Sequence, residues 1–416
     1  FNYGRYLTIA GSREDSQAMT LQGIWTFKTC SPWRSNYTVN INTQMNYWPT
    51  MMCSMPELTK PLINFIKDIS KSGEITAKNC YVDIPAVIRA KIKDIGYIGL
   101  EGGGFDYKTC AVLTSIDEQS TDIASGVNKA LETRKDNADT SKDETLDIGA
   151  GDQGIVFGDA TNETKNYMPL PITLANAIMM RASKLRKENK FKGARPDMKA
   201  QVTFDYNSNK IDTVLVSIQH NPNINKNKFK DYVLNNVIIP VVKEYKLNTN
   251  FKILINPSGS FVVGGPLGDT GLTGRKLVCD TYGGSAHQGG GALSGKDPTK
   301  IDRSATYYAR YIAKNLVAAG VAKRLEVEIS YAIGVSKPLS ISFLTFKTSK
   351  YKDELIEKII NKVFDARVGA IIKHFSLNNP KFKYVDTATY GHFGRDDLNV
   401  PWEKLDKVKE IKKLLK

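Results

Sequence analysis

From Gly289 to Asp302 the chain reads Gly Gly Gly Ala Leu Ser Gly Lys Asp Pro Thr Lys Ile Asp, a combination that ties the fold around it to a ligand. Glycines let backbone N–H groups approach closely, lysines neutralise phosphate oxygens, and a helix opening at Asp297 and Pro298 would aim its positive dipole end at the same place. The spacing of Gly290, Gly295 and Lys296 is almost that of a P-loop, but Asp297 stands where a Ser or Thr hydroxyl would hold the metal. The stretch therefore predicts a site for a polyphosphate and a divalent cation, though not the usual NTPase cradle.

At 416 residues, 41% hydrophobic and 24% charged, the chain can build two to four compact domains. It has no apolar run approaching ~20 residues, the length of a transmembrane helix, and no basic start leading into an apolar stretch, so a cytoplasmic location without a membrane partner is expected. The net charge of +15 comes from lysines spread along the chain and not from one basic block, which favours an anionic small substrate over nucleic acid. Cys30, Cys53, Cys80, Cys110 and Cys279 lack zinc or disulfide spacing and are expected to be buried thiols. His220, His287, His374 and His392 have no metal spacing and read as structural or exposed, and no Ser/His/Asp motif is present.

Trp25, Trp33 and Trp48, with Met19, Met45, Met51, Met52 and Met55, crowd the first 60 residues, and the composition changes near Ser72 and Gly73, where a boundary is expected. The chain starts with Phe1, so its true beginning is expected to be missing. Beyond the boundary, Ala111 to Ile116, Ile211 to Gln219, Lys252 to Asn256, Leu277 to Tyr282 and Leu325 to Ile333 read as strands. Helices are expected over Leu170 to Lys187, Asp231 to Val242 and Pro298 to Ala319, the last with Asp297 as N-cap and Gly320 past its end. Thr121 to Asp147 is polar without periodicity and reads as a mobile loop or lid. Strands and helices mix without a βαβ rhythm, which predicts an α+β fold.

Two further clusters carry the same chemistry. Gly268, Asp269, Gly271, Gly274, Arg275 and Lys276 form a second glycine-rich loop, and Gly149 to Gly154 reads Gly Ala Gly Asp Gln Gly. Asp197 and Lys199 follow Arg195 and Pro196 in what could be an ordinary turn.

Together with Phe105 to Cys110, Ser258 to Pro266, Asp280 to Gly284, Tyr390 to Arg395 and Pro401 to Lys404, these segments resemble the S-adenosylmethionine synthetases, or methionine adenosyltransferases, from about Gly73 to the C-terminus. The resemblance implies a three-domain, pseudo-threefold α+β architecture with an incomplete first domain: residues 73–148 for its remainder with the active-site loop, 149–267 for the central domain and 268–416 for the C-terminal domain. It implies ATP and L-methionine as substrates, Mg2+ and K+ as cofactors, and a homodimer or dimer of dimers. In such enzymes the methionine sulfur attacks C5′ of ATP and expels triphosphate, which is hydrolysed to phosphate and pyrophosphate. Fixed cations lower that barrier because the leaving group accumulates negative charge. By resemblance Lys296, Lys300, Arg275 and Lys276 surround the phosphates, Asp302 holds magnesium, and Glu74, Gln119, Asp152, Asp269 and Lys300 meet methionine. Asp197, Lys199, Ser260, Phe261, Asp269 and Ala292 match ATP contacts, Phe261 near the adenine.

The chain departs from the family pattern in several places. Ser260 replaces an Arg, His287 and Gln288 replace an Arg and His pair, and Leu293 replaces a Phe. The family's opening His, Pro, Asp, Lys motif and its potassium-binding Glu have no counterpart, since the first histidine is His220. In their place residues 1–72, notably Asn36 Tyr37 Thr38, Asn40 Ile41 Asn42 and Gln44 to Pro49, resemble a fragment of the helical catalytic domain of inverting α-L-fucosidases, whose two asparagines matching Asn40 and Asn42 position water. That fragment holds no general acid. A chimeric fusion is expected, with impaired synthetase activity or with binding of ATP or of intact synthetase subunits in its place.

Overall fold

The computed structural model describes residues 2–13, 16–19, 42–68, 83–99, 104–116, 120–134, 145 and 147–416. These fall into two compact units, Phe1–Ile88 and Arg89–Lys416. In the first, helices α1 Asn2–Gly11 and α2 Asn42–Met52 accompany a small core of Ala18, Met19 and Tyr47. The Tyr47 hydroxyl organises it by accepting the Met19 N–H at 2.8 Å and meeting Ser12 Oγ at 3.0 Å. Tyr3, Tyr6 and Trp48 remain exposed. Asn40 and the expected boundary at Ser72 and Gly73 lie outside the described residues, as does the Asn42 side chain.

After helix α3 Ile84–Ile95 and helix α4 Thr121–Asn128 come β1 Gly154–Thr161, α5 Leu170–Lys187, β2 Ala194–Asp205 and β3 Lys210–His220. Next are α6 Lys226–Tyr232, α7 Ile239–Glu244, β4 Lys252–Ile255, α8 Leu277–Asp280 and α9 Ile301–Ala319. The chain finishes with β5 Arg324–Tyr331, β6 Ser340–Leu344, α10 Asp353–Val363, α11 Val368–Phe375 and α12 Val408–Leu414. Helix and sheet mix as an α+β fold requires.

Two three-stranded sheets organise the second unit. One has the order β1-β5-β6, all antiparallel; the other is β2-β3-β4, with β2 antiparallel and β4 parallel to β3. The first core gathers around α9, where Ile301, Ala305, Tyr307, Ile312, Leu316 and their neighbours on β1 and β5 are buried. The second packs α5, with Leu174, Ile178 and Ala182, against Val214, Val216 and Ile218 of β3 and Val237 and Val241 of the helices that follow. β1 lies far from β5 in sequence yet pairs with it over its whole length, so the segment around Gly149 is built into the same core as the segment around Lys296.

Gly158 marks the closest approach in that core. A Cβ there would overlap the Ala309 carbonyl carbon of α9, a backbone neighbour that cannot swing aside. Gly158→Ala should therefore destabilise the second unit by roughly 3 kcal/mol, read as a lowered denaturation midpoint, and an unchanged midpoint would refute this packing.

Several sequence expectations need correction. Ala111 to Ile116 forms no ladder and leaves Leu113 94% exposed; among the described residues its alternating pattern finds no partner strand. Leu277 to Tyr282 is a helical turn, closed by the Thr281 hydroxyl donating to the Leu277 carbonyl at 2.8 Å. Helix α9 begins at Ile301 and not at Pro298. The helix expected from Asp231 starts at Lys226, because the Asn225 side chain caps the Lys228 N–H at 3.1 Å, and it carries a π-helical segment at Val233–Ile238. Thr121 to Asp147 opens with α4, not a loop. Val127 and Ala130 are buried, and Glu132 accepts the Ser336 N–H at 3.1 Å and the Lys337 N–H at 3.0 Å; residues 135–144 lie outside the described set. Cys53 and Cys110 are half-buried and Cys279 is exposed, so none of these three is a buried thiol, while Cys30 and Cys80 lie outside the described residues.

Candidate active site

The three glycine clusters meet. Gly151 N–H donates to the Thr299 carbonyl at 3.0 Å, and a Cβ on Gly151 would lie 2.8 Å from Lys300 Cδ. The first cluster is also stitched to the turn after β5, with Ala150 N–H on Val335 O at 3.0 Å and Gly334 N–H on Ala150 O at 2.8 Å. On the other side, a Cβ on Gly274 would overlap Ala292 Cβ, and one on Gly295 would sit 3.6 Å from Thr273 Cγ2. The Gly268 to Lys276 loop therefore runs beside Ala292 to Gly295. Arg275 and Lys276 are both exposed, and among the described residues no carboxylate pairs with either.

Within the Gly289 to Asp302 stretch, Lys296 Nζ donates to Asp302 Oδ2 at 2.5 Å. Asp302 lies in the first turn of α9, where the helix dipole favours an anion. Gly291 leaves room for Asp302, since a Cβ there would occupy the Asp302 carboxyl group and displace it. Asp302 also lines a cavity of about 10 Å³ shared with His287, Gln288, Gly289, Gly291 and Thr306. Asp302 offers one carboxylate, with a lysine beside it, to a divalent cation that would take most of its ligands from water and phosphate.

Asp297 is not the helix cap. It closes the turn before α9, accepting Thr299 N–H at 2.8 Å, Thr299 Oγ1 at 2.5 Å and Lys300 Nζ at 3.2 Å. Burial would raise its pKa, but the Thr299 bonds and the Lys300 charge outweigh burial and hold it below the usual carboxylate range. Asp152 is exposed and accepts its neighbour's N–H, Gln153, at 2.8 Å.

A second group gathers where β2 begins and β3 ends. Asp197 Oδ2 accepts the Gly265 N–H at 2.9 Å, and Gly265 O accepts the Asp269 N–H at 3.0 Å. Lys199 is exposed on β2, Ser260 is exposed and Phe261 is half-buried. Glu74 and Gln119 lie outside the described residues.

Two histidines are structural, as their lack of metal spacing suggested. His220 bonds the Phe261 backbone, and His392 joins Tyr307 Oη at 2.9 Å to Ser294 Oγ at 3.2 Å, two residues before Lys296. Burial, with Arg303 and Arg395 nearby, pushes the His392 imidazole down to about 3, so it stays neutral. The only sequence signal was its place in the Tyr390 to Arg395 segment. His287 behaves oppositely: its bond to the Glu326 carboxylate at 2.7 Å raises its pKa.

Family profiles match two stretches of the chain. Residues 147–261 match the central domain, and residues 263–404 the C-terminal domain, of S-adenosylmethionine synthetase. The chain is 54% identical over 347 residues to the S-adenosylmethionine synthase of Clostridium tetani (strain Massachusetts / E88), covering 83% of this chain and 87% of that one. It is 52% identical over 346 residues to that of Clostridium botulinum (strain Alaska E43 / Type E3), covering 82% and 86%. The chain belongs to the S-adenosylmethionine synthetase family. Residues 1–97 are similar to the glycosyl hydrolase family 95 catalytic domain. Against the synthetase pattern, the substituted position His287 is the imidazole held by Glu326, Gln288 donates to the Thr281 hydroxyl at 2.8 Å, and Leu293 is buried.

Proposed function

We propose that this chain makes S-adenosylmethionine from ATP and L-methionine, as a methionine adenosyltransferase, and releases phosphate and pyrophosphate. The Lys296–Asp302 pair beside Lys300, at the meeting point of three glycine loops, carries this reading. Lys296, Lys300, Arg275 and Lys276 bind the triphosphate. Asp197, Lys199, Ser260, Phe261, Asp269 and Ala292 receive the nucleoside end and its neighbours. Asp152, Asp269 and Lys300, with Glu74 and Gln119, receive methionine. Asp302 would hold Mg2+, and a bound ion there would supply positive charge to the departing triphosphate. K+ is the second cofactor of this reading.

The chemistry is a displacement. A sulfur lone pair forms the bond to C5′ as the C5′–O bond breaks, leaving a sulfonium and a triphosphate. When substrate enters, Lys296 exchanges its Asp302 partner for phosphate oxygens and frees the carboxylate. The lysines and Arg275 stand in place before charge develops, so little reorganisation is needed.

Each sheet is backed by a long helix, which supports a pseudo-threefold reading with 73–148 as the rest of a first domain, 149–267 central and 268–416 C-terminal, the central segment lending β1 to the C-terminal sheet. A homodimer or dimer of dimers with shared sites would complete each centre in the cytoplasm; among the described residues no helix is long and apolar enough to cross a membrane. Residues 1–72 we read as an α-L-fucosidase-like fragment without its own activity. The decisive assay incubates purified chain with ATP, methionine, Mg2+ and K+ and quantifies S-adenosylmethionine by mass spectrometry. Product above the no-enzyme control is expected, and none at stoichiometric enzyme would reject catalysis. The missing His, Pro, Asp, Lys motif favours a second reading, a non-catalytic chain that binds ATP or pairs with intact synthetase subunits; ATP binding without turnover would select it.

A further inference from the structure

We infer that His220 is a positioning residue for the nucleoside end of this site, setting ATP affinity through the backbone of Phe261; the inference rests on the nucleotide reading above. His220 is the last residue of β3 and is 1% exposed. Its backbone N–H donates to Phe261 O at 2.8 Å, and its ring Nε2 accepts the Phe261 N–H at 3.0 Å. The other ring nitrogen, Nδ1, lies 2.8 Å from the Asn221 carbonyl. A carbonyl on one side and an N–H on the other admit only the neutral tautomer with hydrogen on Nδ1. One residue thus satisfies both backbone groups of Phe261.

The following residues are gripped from the same strand ends. Gln219 Nε2 donates to Val262 O at 2.9 Å, and the Asp197 carboxylate accepts the Gly265 N–H at 2.9 Å. Gly264 is enclosed, since a Cβ there would lie 2.9 Å from Gln219 Cδ and from Phe261 Cε2 and 3.1 Å from Asp197 Oδ2. The His220 ring is held in turn by the Phe229 ring of α6, 5.5 Å away between centroids. An ordinary core anchor would bury what it holds. Here the backbone is fixed while the Phe261 ring stays half-buried and Ser260 stays exposed, as a stacking platform for a flat base requires.

In the nucleotide reading above the glycine loops and lysines take the phosphates and Phe261 the base, so ATP and inorganic tripolyphosphate report separately on the two ends. Calorimetry on the full chain compares them. In His220→Leu, which keeps bulk but removes the acceptor, ATP should bind about tenfold more weakly, the effect of one lost hydrogen bond to an otherwise unsatisfied N–H, with tripolyphosphate affinity unchanged. His220→Asn, which reaches the Nδ1 position but not Nε2, should behave alike and tests the idea should the leucine variant not fold. His220→Gln, which places an oxygen near Nε2, should restore ATP affinity. Wild-type ATP affinity in both the leucine and asparagine variants, or equal losses for ATP and tripolyphosphate, would overturn the inference. If the unaltered chain bound neither ligand, the nucleotide reading itself would fall first.

Discussion

Replacing Lys296 by alanine should lower S-adenosylmethionine formation by about 10²- to 10³-fold, the usual loss when one preorganised group facing a developing charge is removed, or about 3–4 kcal/mol of barrier. The ammonium is 31% exposed and pairs with Asp302 at 2.5 Å, so its removal leaves the hydrophobic core untouched and the thermal midpoint should barely move. Lys296→Arg should recover only part of the rate, because a planar fork cannot replace a point charge in a glycine-lined turn. Asp302→Asn should instead raise the Mg2+ concentration needed for half-maximal activity. If the alanine variant turned over like wild type, Lys296 would have no part in the reaction.

Glu403→Ala should cost about 3–5 kcal/mol of stability, the penalty for stranding a buried charge. Arg310, on α9, has a fully buried side chain that donates to Asp159 O at 2.7 Å, Tyr167 O at 2.8 Å and Asn166 O at 2.7 Å, and its only carboxylate partner among the described residues is Glu403, at 3.1 Å. Lys314 reaches the same carboxylate at 2.6 Å. Burial alone would raise the Glu403 pKa, yet Arg310 and Lys314 outweigh burial and hold it below its ordinary value of 4.5. A depressed folded-state pKa means that the unfolded chain binds the proton first. The stabilisation is therefore complete above about pH 4.5 and is lost as pH falls through the folded value. Chemical denaturation at neutral and acid pH should show a Glu403→Gln variant with a flatter acid limb than wild type, and parallel limbs would exclude Glu403 as the titrating group.

Much of this arrangement was legible in local chemistry. Ile211 to Gln219 lies within β3, Leu170 to Lys187 is α5, and Gly320 ends α9 in the left-handed conformation at φ 85°, because alternation, helical spacing and a C-terminal glycine are written in neighbouring residues. The convergence of Gly151, Gly274 and Lys296 could be suspected from shared composition, but no local rule joins positions so far apart. What failed depended on side-chain bonds that the residue pattern does not reveal, some local and some distant. Leu277 to Tyr282 has β-branched and apolar residues, yet the surroundings wind it into a turn. Asp297 resembles a helix cap, but Thr299 and Lys300 claim its carboxylate first. Arg310 sits in a helix whose apolar rhythm gave no warning of a charge, since its acceptors come from residues 159, 166, 167 and 403.

The reach of that guanidinium has a bearing on biosynthesis. Helix α9 leaves the ribosome with Arg310 and Lys314 already in its sequence, while their shared carboxylate follows 93 and 89 positions later. Until Glu403 has been translated and has emerged, the central helix carries two cations that its own core cannot neutralise. Closure of the synthetase portion thus waits for Glu403, and nascent chains stalled before Pro401 should remain accessible to protease whatever their β-sheets have begun to form.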